Sequence, residues 1–139
     1  MSTLSSGLPL FVGDDETLAR FLTSSRWINS SGVRHVAFLP NPHNGETSVS
    51  RHEAEPEEEL WNIGREVVEP SQRNLHGVAF CIAEEVRFLA LDVISDEPPE
   101  RHANIVNWPS DISDPILQKA KQKEIAMRLA EKATILKKP

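Results

Sequence analysis

Apolar residues along this chain recur in two spacings: every third or fourth position in some stretches, and short contiguous runs in others. Leu18, Phe21 and Leu22 follow Asp14-Asp15 at helical spacing, which predicts a short helix from Glu16 to about Ser24 with an aspartate N-cap. Val33 to Leu39 is rich in β-branched and aromatic residues and stops at Pro40, so it predicts a strand. Asn41-Pro42-His43-Asn44-Gly45 is a turn signal, since Pro presets the bend and Asn-Gly tolerates positive φ. Glu46 to Arg51 then returns as the second arm of a hairpin. Pro56 followed by Glu57-Glu58-Glu59 opens a helix over 56–69, with Leu60, Trp61, Ile63, Val67 and Val68 as its apolar side.

Two further strands are expected at Gly77–Ile82 and Val86–Ile94. The second is apolar on both faces, as a central strand covered on at least one side would be. Asp114 caps a last helix from Pro115 to about Leu136, with Ile125, Leu129, Ala133 and Leu136 as its buried stripe. These elements predict an α+β fold in a single domain over 13–139. Its sheet is expected to have four to five mostly antiparallel strands, with the two main helices covering one face. Residues 1–12 read as a flexible N-terminal tail.

Composition narrows the class. With 139 residues, 39% hydrophobic and 26% charged, the chain is globular and sized for one core. A lone cysteine, Cys81, excludes an intrachain disulfide and lies in an apolar run, Val78-Ala79-Phe80-Cys81-Ile82, where a thiol behaves as a small core residue. The first residues carry no basic segment followed by an apolar one, and no run is long enough to span a bilayer. The expectation is a cytoplasmic protein without a membrane partner. The net charge of −6 conceals a split. Residues 115–139 hold seven basic against two acidic groups, whereas the first 114 hold eight against nineteen. Lysines in the last turns of a helix complement its dipole, and an acidic body repels nucleic acid at long range, so nucleic-acid binding through the basic last helix is kept only as a third alternative.

Candidate chemistry concentrates in Arg101-His102-Ala103-Asn104-Ile105-Val106-Asn107-Trp108-Pro109, which follows a Pro-Pro break and is expected to lie between elements. A second pair, Arg51-His52, closes the hairpin strand. Arg offers a charged fork for carboxylate or phosphate, and His exchanges protons near neutral pH. Arg51, Arg101 and His102 are therefore the candidate catalytic residues, on the expectation that both segments share one pocket. Asn104, Trp108 and Trp27 join those three as candidate binding residues. The five histidines have no metal-ligand spacing, and neither a nucleophile elbow nor a Gly-rich phosphate loop appears. No metal or cofactor is expected.

The run 97–109, together with Thr47-Ser48-Val49-Ser50-Arg51 and Glu59-Leu60-Trp61-Asn62-Ile63-Gly64-Arg65, resembles a family of small bacterial proteins. The resemblance spans roughly residues 18 to 134, with Asn107 where that family usually has glycine. It implies a bacterial cytoplasmic protein and carries over no catalytic role. The reading that follows is a non-catalytic binding or accessory module acting through a protein partner, or through a second copy of itself. A bacterial mobile-element or defence cassette is its candidate setting. The alternative is a metal-independent hydrolase or nuclease with an Arg/His site for an anionic substrate.

Overall fold

The computed structural model describes residues 4–71, 73–110 and 113–139. Six strands form one fully antiparallel sheet: β1 (Thr17–Leu22), β4 (Thr47–His52), β5 (Gly77–Ile82), β6 (Asp92–Ser95), β7 (His102–Val106) and β8 (Thr134–Lys137). Their order across the sheet is β6-β7-β4-β1-β5-β8. A small hairpin, β2 (Ile28–Asn29) with β3 (Gly32–Val33), stands apart. Among the described residues three α-helices complete the fold: α1 (Glu57–Val68), α2 (Ala83–Phe88) and α3 (Pro115–Lys132). The α+β class holds, with six strands in the sheet rather than four or five.

The central strand is β1, where a helix was expected. Leu18 and Leu22 pack into one apolar cluster, while Ala19 and Phe21 pack into another on the opposite side of the sheet. A strand covered on both faces has no alternation of apolar and polar residues, so over six residues it reads like a helix. The same two-sided cover separates the main helices. Leu60, Trp61 and Val68 of α1 join Ala19, Phe21 and Val78, whereas Ala126 and Leu129 of α3 join Leu18, Leu22 and Cys81. The helices therefore cover opposite faces, against the expectation of one. Gly64 allows α1 to approach closely, because a Cβ there would lie 2.8 Å from the Phe21 ring.

Residues 33–39 do not form a strand beyond Val33; His35–Phe38 is a 3-10 turn with Ala37 and Phe38 buried. Side chains take the carbonyls that a sheet would have used. Arg20 Nε donates to Ala37 O at 2.7 Å and Thr47 Oγ1 to Phe38 O at 2.8 Å. The 41–45 turn forms as expected, with Gly45 at φ 72°. Its returning strand β4 pairs instead with β1 and β7.

The expected strand 86–94 is divided. Ala83–Phe88 is helical because its first free N–H groups find partners: Ala83 and Glu84 donate to the carbonyls of Glu16 and Asp14, at 3.0 and 2.9 Å. Only 92–95 is strand, and it lies at the sheet edge. At the other end, α3 stops at Lys132 and the expected last turn becomes β8, so Leu136 packs as a strand residue. Asp114 and Pro115 open α3 as expected, with Asp114 Oδ1 accepting from the N–H groups of Ile116 and Leu117.

The segment expected as a tail is bound to the body. Leu8 and Val12 are buried, and Ser5 and Ser6 donate to the Glu97 carboxylate. Residues 1–3 of that expectation lie outside the described residues. No described helix is long and apolar enough to cross a membrane.

Candidate functional site

The two expected segments do converge, since β4 and β7 are neighbours with Ser50 opposite His102. Their functional groups, however, leave the sheet on opposite sides. Arg51 is opposite Leu18, while His102 shares the other face with Ser50. Arg51 is 1% exposed and is fully engaged within the fold. Its fork meets Glu16 at 2.7 and 2.8 Å, and Nη1 donates to Pro9 O and Ser95 Oγ. It cannot be a ligand or catalytic group, because its donors already hold the N-terminal segment and β6 to the body.

This ion pair carries a pH signature. Burial pushes the Glu16 carboxyl up, but the Arg51 fork, the Gly13 N–H and the charges of Arg51 and Arg87 outweigh it and hold the group below its ordinary value. A depressed carboxylate contributes stability above its unfolded pKa, about 4.3, and that contribution is lost as pH falls through the lower folded value. We expect urea midpoints to fall between about pH 5 and about pH 3, with Glu16→Gln flattening part of that fall. An unchanged pH slope in Glu16→Gln would contradict this assignment.

Three other expected residues are also occupied. Arg101 Nη1 lies 2.5 Å from Glu55 Oε1 and 3.4 Å from Glu53 Oε2, so its charge is paired. Trp108 is buried in the main core and presents no surface to a partner. Trp27 is half-buried against that core, with the Arg20 guanidinium 5.3 Å from its ring centre. The 101–109 motif is itself mostly strand, bounded by Arg101 at φ 71° and Asn107 at φ 69°. The left-handed position suits Asn107, since Asn, like Gly, tolerates it better than most residues do.

What remains open is the half of the sheet face that α1 leaves uncovered. Here Ser48, Ser50, His102 and Asn104 project side by side from β4 and β7. A cavity of about 360 Å³ lies over Ser48, Ser50 and His102, with Arg20, Arg73, Asn41 and Glu100 on its walls. Alternation along β4 produces this face, because Thr47, Val49 and Arg51 turn into the core and the intervening serines turn away from it.

His102 is the chemical centre of the face. Nδ1 lies 2.8 Å from the Asp96 carbonyl, and Nε2 lies 2.6 Å from Ser48 Oγ. A carbonyl only accepts, so Nδ1 carries the proton in the neutral ring and Nε2 is left to accept from the Ser48 hydroxyl. The Asp96 carboxylate stands 3.4 Å from Nδ1 and accepts from Asn104 Nδ2 at 2.8 Å. Asn104 thus positions the group that faces the imidazole.

Arg20 supplies the positive charge. The β1–β4 ladder ends at Ala19 opposite Ser50, and beyond it Arg20 Nη1 donates to Ser48 O at 2.8 Å. Burial, and then the nearby charge of Arg73, push the Arg20 pKa down to about 10. Arg51, Arg87, Arg101 and Arg128 each pair with a carboxylate; among the described residues Arg20 and Arg73 lie at ion-pair distance from none, as do the exposed Arg26, Arg34 and Arg65, but of these five only Arg20 and Arg73 line the cavity. The same residues contain no cluster of His, Cys, Asp and Glu that would hold a metal ion.

The sequence singled out His102 and Asn104, which the structure places on this face, and did not single out Ser48, Arg20, Arg73 or Asp96 beside them. The serines at 48 and 50 had a signal, since their period of two marks one face of a strand. Arg20 had none, because its setting between Ala19 and Phe21 reads as apolar core. No family model, curated protein or solved structure matches this chain.

Proposed function

We propose that this chain is a binding module that takes an anionic group of a partner molecule into the cavity between α1 and β7. The observation that carries the reading is the convergence of Arg20 and Arg73 on one cavity with no carboxylate at ion-pair distance among the described residues. Two like charges that line one cavity and act on each other repel, and an anion between them offsets that repulsion. Ser48, Ser50 and Asn41 line the same space and add neutral polar groups around the anion.

The acidic remainder of the chain sets the size of the ligand. A body with nineteen acidic against eight basic groups in its first 114 residues repels long polyanions. A single small anionic group therefore suits the cavity better than a nucleic-acid backbone. Arg51 and Trp108 are buried, which supports reading this face, rather than the whole 101–109 motif, as the surface that meets a partner.

Titrating the protein with inorganic phosphate by calorimetry tests the reading. Saturable binding is expected, weakened roughly tenfold or more in Arg73→Glu through loss of a charge-assisted contact and addition of a repulsive one. Arg73 is exposed, so its replacement is expected to leave the unfolding midpoint within about 0.5 kcal/mol of the original. Equal affinities in both proteins, or no saturable binding of phosphate, would remove the proposal.

A further inference from the structure

We infer that the bound anion is a phosphate ester and that Ser48 attacks its phosphorus with His102 as the base, an inference that rests on the anion-binding reading above. The hydrogen-bond pattern selects the tautomer of the neutral ring that a base at this position needs. With Nδ1–H held by the Asp96 carbonyl, His102 Nε2 accepts from Ser48 Oγ at 2.6 Å, within the reach that proton abstraction needs. Ser48 and His102 sit on adjacent strands at diagonal positions, Ser48 opposite Asn104 and Ser50 opposite His102. Their contact is therefore held by a paired sheet rather than by a mobile loop.

The substrate class follows from the charges around the pair. Arg20 and Arg73 line the cavity that Ser48 and His102 also line, so the group they bind lies where the serine hydroxyl opens. In a phosphate ester the reacting group is itself the anion, and guanidinium groups stabilise the charge on its non-bridging oxygens as the transition state forms. An acyl ester would need a separate anionic group to use the same two arginines. The phosphate ester is the simpler fit.

In the first step the Ser48 Oγ–P bond forms, and the bond from phosphorus to the ester oxygen breaks. The hydroxyl proton passes to His102 Nε2 and on to the departing alcohol. In the second step water attacks phosphorus and gives its proton to His102, the Oγ–P bond breaks, and Ser48 takes the proton back. Phosphate, or a phosphomonoester from a diester, leaves. No electron changes hands.

The test uses p-nitrophenyl phosphate and bis(p-nitrophenyl) phosphate, with p-nitrophenyl acetate as the acyl comparison. The intact protein is expected to release nitrophenolate from a phosphate ester. Ser48→Ala and His102→Gln are each expected to lower that rate by about 1,000-fold or more. Ser48→Ala removes one neutral hydroxyl of the site and is expected to weaken phosphate binding by no more than about tenfold, so turnover lost about 1,000-fold with saturable binding retained separates chemistry from folding. Phosphate binding without turnover of either phosphate ester overturns the catalytic step and leaves the binding module standing. Turnover unaffected by Ser48→Ala, or cleavage of the acetate alone, overturns it as well. Failure of phosphate to bind at all removes both readings together.

Discussion

Arg51→Ala is expected to lose about 3–5 kcal/mol of folding stability, read as a lower denaturant midpoint at neutral pH. The loss has several parts that act together. Removal of the fork leaves the Glu16 carboxylate, 23% exposed, without its counter-charge. It also removes the donors to the carbonyls of Pro9 and Phe11 and to Ser95 Oγ. A small domain has only about 5–15 kcal/mol of stability in total, so this variant is expected to be partly unfolded at ambient temperature. Lys at this position is not a substitute, because one ammonium cannot reproduce a bidentate fork. A fully folded Arg51→Ala protein with altered ligand binding would return Arg51 to the functional site.

Trp108→Ala is expected to cost about 3–5 kcal/mol, as other aromatic-to-alanine changes in cores do. The indole is 4% exposed and packs in the cluster that also holds Phe38, Leu18 and Ile105. Trp108→Phe discriminates between volume and polarity. Trp108 Nε1 is buried with no hydrogen-bond partner among the described residues, so phenylalanine loses volume without breaking a bond. We expect Trp108→Phe to retain most of the stability that alanine loses. A Trp108→Ala protein with an unchanged midpoint would place the ring outside the core and revive it as a partner contact.

The sequence was most informative where local chemistry decides structure. The acids after Pro56, the Asn41–Gly45 turn and the Asp114-Pro115 pair each define an element end through their own backbone preferences, and each stands where expected. It was least informative where tertiary cover decides. The run Leu18-Ala19-Arg20-Phe21-Leu22 is a strand because α1 and α3 lie on its two sides, which no spacing within the run records. The Val86–Ile94 run is split because distant carbonyls at Asp14 and Glu16 accept from the start of α2.

The site divides along the same line. His102 and Asn104 were legible as polar residues amid β-branched neighbours, and proximity of the Arg51 and His102 segments was anticipated. Which way each side chain faces depended on register, and one residue of register reverses the face. Ser50, not Arg51, stands opposite His102, and that single offset sends the arginine into the core and the serines to the open face.

Amide chemical-shift mapping by NMR during an inorganic phosphate titration tests the location of the working surface most directly. Saturable shifts confined to residues around Ser48, Ser50, Arg73 and His102 are expected. Shifts gathered instead around Arg51 and Glu16, or none that saturate, would contradict the assignment of this sheet face as the place where the protein meets its ligand.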